Sequence, residues 1–568
     1  MRRLELHTGD VDEESTAGTR WASLAPLAAI ATIGLAIAMA VGIGGDFPLS
    51  DDWSYAHAVR ALCVDGRLEL LPWTGASLVL QAWYGAILCK LFGFSFVVLR
   101  TSTVAIAIAG ALGFYLLARE YRVATPSLLA LAAVTFGLDP FYVNLAFTFM
   151  TDVPFLALLV WATLLYARGL GRADARTLVG GSLLCAAAIL VRQHAIFVAA
   201  AAALTALVAA PALLRQRAVL ALAAGSAPVL ALGAYFCWLF FVHGAPAAVA
   251  IRLAESRAID PVALADVAFR SLAYLGLLLA PLVVGVAAVL WQRTRMLLAA
   301  STALVACGAL VLLVRNGELM FYLSNTLYDF GVGPLTLRDT MFLGMRPPVH
   351  VGLPLAVPIT IAAIAGAGSL LAACWAIALR RGNVRAAFAV IATATMLAGS
   401  VVSQSNLYLD RHVLPALPFA ILVMISVAPR ERPNLLAWAL AAALGWYGLA
   451  GTHDYLAWNA ARFAMLDELE SAGEDSRRVD GGVEYNGWKL AAELGTWPSM
   501  DEARIGQPAS RKSWWWVVED QFVVSFRALD GYRLLRKREY RRWLVPGTGR
   551  LLLLERSADD PRGSRTKG

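Results

Sequence analysis

Long apolar runs, each near the length that crosses a bilayer, recur along the chain from Ala22 to Ala450. A membrane-spanning helix needs about 20 apolar residues, and in hydrocarbon the backbone must satisfy its own hydrogen bonds, which leaves helices as the simplest solution. The runs fall at 22–44, 97–118, 126–144, 153–168, 177–191, 194–213, 219–242, 268–291, 296–314, 351–379, 386–403, 413–429 and 434–451. Only 15% of the residues are charged, against roughly 25% in soluble domains. One large soluble domain is therefore excluded.

The connectors between the runs are of two kinds. One kind is short and basic, carrying Arg119 and Arg122; Arg168, Arg172 and Arg176; Arg215 and Arg217; Arg293 and Arg295; Arg380, Arg381 and Arg385; Arg430 and Arg432. The other kind, at 45–96, 139–152, 243–267, 315–350 and 404–412, is longer, mixed in charge and aromatic. The two alternate, so the basic set belongs to the cytoplasmic side. This distribution also accounts for the net charge of +8 without a nucleic-acid partner. The segment 77–95 is apolar enough to span, but counting it would put the basic connectors outside. It reads instead as an interfacial helix with Trp83 and Tyr84 at headgroup level. The expectation is an all-α polytopic membrane protein of about 13 transmembrane helices, amino terminus inside and carboxyl terminus outside. The polar leader 1–21 is a cytoplasmic tail, and the run after it is too long for a cleaved signal peptide.

Six cysteines include no CxxC pair, which argues against a structural zinc site. Cys63 and Cys89 are either free thiols or a bridge in an oxidising compartment. After Ala450 the sequence becomes charged. A helical period over 454–472 and strand patterns at 514–526, 532–538 and 549–555 predict a small soluble α/β domain over 452–558, with a disordered tail at 559–568. Its Trp514–Trp516 run suits a buried strand, and 481–488 is a candidate acceptor cleft.

The chemistry-bearing residues collect in the outward loops. The first loop opens with Asp51, Asp52, Trp53, Ser54 and Tyr55. Either carboxylate can cap a helix starting at Trp53, or act as a general base at the bilayer surface. Asp152 opens a span, as a cap or as a functional acid at membrane depth. Arg192-Gln193-His194 and Asp410-Arg411-His412 interrupt apolar sequence on the same side. They are short turns or cationic contacts for a phosphate, for which the planar guanidinium is well suited. The long loop 315–350, with Tyr322, Tyr328, Asp329, Arg338, Arg346 and His350, has the aromatic content of a loop that folds over a substrate. Neither a Walker A sequence nor HExxH nor GxSxG is present, so an ATP-driven pump, a zincin and a rhomboid-type protease are disfavoured.

In order, side and spacing these motifs resemble the bacterial polytopic glycosyltransferases of the GT-C fold, the group holding protein O-mannosyltransferases, the lipid A aminoarabinose transferase and the rhizobial galacturonosyltransferases. The matching residues are Asp51-Asp52-Trp53-Ser54-Tyr55, Pro72, Leu91-Phe92-Gly93, Arg100, Thr151-Asp152, Arg192 in a place where Lys is common, and Arg411-His412-Val413-Leu414-Pro415 with His for Tyr. The resemblance covers 22–451, the membrane domain, and is best over 46–195. It implies a bacterial inner-membrane enzyme of the cell envelope. Such an enzyme moves a hexosyl or pentosyl group from a polyprenyl-phosphate donor to a hydroxyl on a lipid, glycan or protein acceptor at the outer face. It implies Asp51 as the base, with Asp52 and Asp152 beside it, Arg192 and Arg411 on the donor phosphate, and Tyr55, His194, Arg346 and His412 at the substrate. A divalent cation, Mg²⁺ or Mn²⁺, is compatible with the oxygens of Asp51, Asp52 and Asp152 but not demanded. The rival reading is a polytopic transporter or lipid flippase, which would place charges near the midplane at broken helices.

Overall fold

The computed structural model describes residues 13–121, 125–210, 213–255, 260–317, 319, 325–380, 382–403, 408–494 and 520–557, and every absence below refers to these. Tyr322, Trp514–Trp516 and the tail 559–568 lie outside them.

The chain opens with α1 (Glu13–Val41), then α2 (Asp52–Val64) and α3 (Val79–Phe92) in the first loop, then α4 (Phe96–Glu120). The bent pair α5 (Pro126–Gly137) and α6 (Pro140–Ala146) follows, with α7 (Asp152–Arg172), α8 (Ala175–Ile189), α9 (Ile196–Ala209), α10 (Leu214–Trp238), α11 (Ala247–Glu255), α12 (Pro261–Leu278) and α13 (Ala280–Asn316). After a small hairpin, β1 (Leu327–Tyr328) and β2 (Gly331–Val332), come α14 (Leu353–Leu379), α15 (Val384–Ser403), α16 (Leu417–Val427) and α17 (Leu435–Ser471). The chain ends with β3 (Val479–Asp480), α18 (Val483–Leu494), β4 (Phe522–Ser525), β5 (Tyr532–Arg542) and β6 (Gly547–Arg556).

Ten helical segments are long and apolar enough to cross a membrane, or eleven if α5 and α6 form one broken span. Large apolar side chains stand exposed on them, among them Met39 on α1, Leu230 on α10, Val311 on α13 and Leu435 on α17. In water, apolar surface repeated on this scale would drive association, whereas lipid accepts it. The protein is a multi-pass helical membrane protein with a small β-containing carboxyl-terminal unit.

The count of about 13 differs at α8 and α9, which have only 15 and 14 residues. At 1.5 Å per residue each is about 22 Å long, short of a hydrocarbon core about 30 Å thick. The chain breaks between them at Arg192, which is extended (φ −146°, ψ 130°). The α5–α6 break bends by 53°. There Pro140 supplies no amide hydrogen to the preceding turn, and Asp139 caps the new helix by accepting from the Phe141 and Tyr142 amides at 3.0 and 3.1 Å. The basic turn read at Arg293 and Arg295 is a break inside α13, where Thr294 leaves helical geometry (φ −140°, ψ 20°). The small residues Gly276 of α12 and Gly366 of α14 let two backbones touch, since a Cβ on either would collide with the other helix.

The boundary at 451/452 falls inside α17, whose 37 residues run unbroken. Such a helix is about 55 Å long, so its first half serves as the last span and its second half carries the terminal unit. In the first loop, α3 has 14 residues, too few to span. Trp83 on it is exposed as expected, but the Tyr84 hydroxyl is buried rather than at the surface.

The terminal sheet has strand order β3-β4-β6-β5, with β3 parallel to β4 and the other pairs antiparallel. Leu551, Leu553 and Leu554 of β6 are its buried centre. The unit sits on the first loop. Trp53 of α2 packs where any side chain on Gly487 would stand, the His57 ring bonds the Trp488 carbonyl at 3.1 Å, and Trp488 stacks on Phe94. All six cysteines are free.

Candidate functional site

The site is assembled where the first loop is pinned against the starts of later helices. Arg100 on α4 is buried, and its Nη1 and Nη2 donate to the carbonyls of Ile43, Gly44, Gly45 and Phe47 at 2.9–3.3 Å. It thereby satisfies carbonyls just past the end of α1 and fixes where the loop begins. Asp52 pins the next turn. Its Oδ1 accepts from Leu49 N at 2.6 Å and its Oδ2 from Phe149 N at 3.1 Å.

Both oxygens of Asp52 are thus spent on backbone, and the side chain is 1% exposed. Its role is to tie the first loop to the segment before α7. Burial raises its carboxyl from the ordinary 3.8 to about 7, against the opposing effect of the two amides. The folded protein therefore holds this proton more tightly than the unfolded chain. The associated stability is full below about pH 4 and is lost as pH rises towards about 7. Asp52→Asn is expected to abolish that part of the pH dependence, read as the unfolding midpoint of purified protein from pH 4 to 8.

Asp51 behaves differently. It occupies the N-cap position of α2 yet makes no side-chain capping bond. Instead its Oδ2 accepts from Arg411 Nη2 at 2.8 Å and its Oδ1 from the Trp73 indole at 3.0 Å. Its side chain is 25% exposed, against 6% for Arg411. Arg411 Nη1 also reaches Ser50 Oγ at 3.2 Å. Asp410 orients this arginine's backbone: its carboxylate accepts from the amides of Thr326, Leu327 and Arg411 at 2.6–3.0 Å.

Asp152 is the first helical residue of α7, with Thr151 at the cap position. Its Oδ1 accepts from Arg192 Nη1 at 2.7 Å, while its buried Oδ2 has no partner. The break between α8 and α9 is what brings Arg192 there. Tyr55, one helical turn beyond Asp51, feels the charges of Asp51, Arg192, Arg411 and Asp152, and burial with the Asp51 carboxylate raises its hydroxyl above the ordinary tyrosine value. His412 is buried, accepts Leu409 N on Nδ1 at 3.0 Å, and feels Arg192, Arg411 and His194. The His194 ring contacts Ser403 Oγ at 3.0 Å.

Asp51, Tyr55, Asp152, Arg192, His194, Arg411 and His412 therefore share one neighbourhood. Arg346 does not join it. It is exposed in the loop before α14, where Nη2 reaches the Val351 carbonyl at 3.4 Å and its own carbonyl accepts from Arg527. The three acids do not form a ligand set either, because each faces different partners, and no group of three His, Cys, Asp or Glu suited to a metal occurs among the described residues.

One contributor escaped the sequence reading. Arg252 on α11 feels the charges of Tyr55, Asp51, Arg192 and Arg411. Its Nε is buried without a partner, and Gly75 leaves room for its guanidinium. An arginine in a loop that the sequence reads as outward runs against the positive-inside pattern, which was the available signal. Glu484 of α18, within the 481–488 segment singled out in the sequence, accepts from Ser50 N at 3.2 Å, next to Asp51.

The sequence model of the dolichyl-phosphate-mannose-protein mannosyltransferase family matches residues 78–238. That segment runs from α3 to α10 and contains Asp152 and Arg192. Together with the helical, multi-span architecture, the match supports a membrane glycosyltransferase of the GT-C type, the class that the motifs resemble. Among solved structures the chain is similar to ArnT from Cupriavidus metallidurans in the apo state, at 14% identity over 95% of this chain and 98% of that one, with a TM-score of 0.35. No curated protein matches the sequence.

Proposed function

We propose that the protein transfers a sugar from a polyprenyl-phosphate donor to an acceptor hydroxyl at the outer face of the bacterial plasma membrane. The observation that carries this is a partly exposed carboxylate, Asp51, held by Arg411 and within reach of the charge of Arg252, with Arg192 acting on the same Tyr55 as Asp51. A base beside clustered guanidiniums fits a reaction that removes a hydroxyl proton and releases a phosphate.

In the proposed step Asp51 takes the acceptor proton. The acceptor oxygen attacks the anomeric carbon, and the bond from that carbon to the phosphate oxygen breaks. The leaving polyprenyl phosphate needs charge stabilisation more than a proton, and Arg411, Arg252 and Arg192 supply it. Arrival of the phosphate competes for Arg411 and loosens its pairing with Asp51, which readies the base. Asp152 holds Arg192 in place, and Tyr55, His194 and His412 line the substrate. No step requires a divalent cation.

A single displacement inverts the anomeric configuration. A donor of defined configuration, with the product anomer read by NMR, tests this: inversion is the expected result, and retention overturns the single displacement. Arg252→Gln is expected to lower kcat/KM for the donor about 10- to 100-fold, the worth of one charge-assisted hydrogen bond of about 1.5–3 kcal/mol. Steady-state kinetics over a donor titration check it.

A further inference from the structure

A polar cavity of about 420 Å³ lies at the end of α7 opposite Asp152. It is formed by Arg119 and Glu120 at the end of α4, Arg168, Gly171 and Arg172 at the end of α7, and Arg385 at the start of α15. A helix of 21 residues is about 30 Å long, so α7 holds the candidate active site at one face of the membrane part and this cavity at the other.

Four guanidiniums meet a single carboxylate here, and that carboxylate is already engaged. Glu120 Oε1 accepts from Arg168 Nε at 2.7 Å, and its Oε2 lies 3.9 Å from Arg385 Nη2. Arg385 is further fixed by donating from Nε to the Ala167 carbonyl at 3.2 Å. Arg119 lies over the Tyr115 ring at 6.0 Å, and among the described residues neither Arg119 nor Arg172 has a carboxylate partner. A side chain at position 171 would run into the Arg385 guanidinium, so glycine there keeps the wall open.

Helix-end arginines are individually favourable against the helix dipole, and the positive-inside tendency accounts for their side. Neither explains why four converge on an open polar volume with a net charge near +3, where mutual repulsion works against them. A bound anion relieves that repulsion, and guanidinium forks match phosphate oxygens. Basic pockets between spans on this side are suited to anionic headgroups.

We infer that this cavity binds a phosphate-bearing anion, supplied by the headgroup of an anionic phospholipid or by a soluble phosphate compound. The test uses delipidated full-length protein in nonionic detergent, wild type and Arg119→Gln/Arg172→Gln, with binding read by native mass spectrometry and thermal shift. Dioctanoyl phosphatidylglycerol, dioctanoyl phosphatidylcholine and inorganic phosphate are titrated in parallel. Saturable binding of the anionic lipid over the zwitterionic one, weakened about tenfold or more in the double variant, is expected. Saturable binding of inorganic phosphate with the same loss assigns the site to a soluble ligand. Arg541→Gln, exposed on β5 and away from both sites, is expected to leave the binding unchanged. Equal binding by wild type and the double variant, no preference for either anion, or the same loss in Arg541→Gln overturns the inference. If the double variant does not fold, Arg119→Gln alone supports the same comparison.

Discussion

Asp51→Asn is expected to lower kcat for sugar transfer by about 10³-fold while the protein still folds. A positioned general base contributes roughly 10²–10⁴-fold, and the amide cannot accept the acceptor's proton. The substitution conserves shape, and the Asn oxygen can still take the Trp73 indole hydrogen that Asp51 Oδ1 accepts at 3.0 Å. Little structural damage follows from a lost cap, because the Asp51 side chain makes none. The ion pair to Arg411 is lost, so the donor KM changes by less than kcat. Rates under saturating donor, with a melting curve for each protein, make the comparison. Activity that survives Asp51→Asn would move the base to Asp152, whose Oδ2 has no hydrogen-bond partner. Asp52 is the poorer substitute, since it is 1% exposed and tied to two backbone amides, whereas Asp51 is partly exposed.

Arg462→Met is the second large effect, this time on stability. Arg462 and Glu484 are both fully enclosed, 0% exposed, with Nη2 and Oε2 at 2.8 Å. Glu484 also accepts from Ser50 N at 3.2 Å and Thr336 Oγ1 at 2.5 Å, and Arg462 lies over the Phe463 ring at 4.7 Å. Removing the arginine leaves a buried carboxylate without its counter-charge, a loss of about 3–5 kcal/mol in comparable cases. Glu484→Gln should recover part of this in the double variant, because the charge is gone while an acceptor for Ser50 remains. Denaturant unfolding of the single and double variants measures it. A loss below about 1 kcal/mol for Arg462→Met would contradict a tightly closed pair. The same link predicts a functional cost: Ser50 sits at positive φ (55°), so the terminal unit holds the backbone one residue before Asp51 in a conformation it would otherwise leave.

These two predictions also divide what the sequence disclosed from what it withheld. Hydropathy and arginine placement put Asp51, Asp152, Arg192 and Arg411 at the same ends of their helices, and in a bundle of spans that leaves few places for them but together. The placement of the arginines likewise kept 77–95 in the loop as an interfacial helix, although its apolar length alone would have allowed a span. Side of the membrane, however, says nothing about which way a side chain turns. Asp51 and Asp52 are adjacent and look alike, yet one faces Arg411 and the other backbone amides from a segment 97 residues away. Arg346 has the right side and the wrong direction. The tie between Ser50 and Glu484 joins positions 434 residues apart, and no local pattern encodes a contact made only when the terminal unit folds over the first loop. Continuity of α17 past the last span was hidden for a different reason: the change from apolar to charged residues marks where lipid ends, and a helix has no need to stop there.

The most direct measurement is the release of polyprenyl phosphate by purified wild-type protein from a panel of polyprenyl-phosphate sugars, with a membrane extract supplying acceptors. The proposed function predicts release from at least one donor, dependent on acceptor and lost in Asp51→Asn. No release from any donor would contradict it and favour a transporter or flippase.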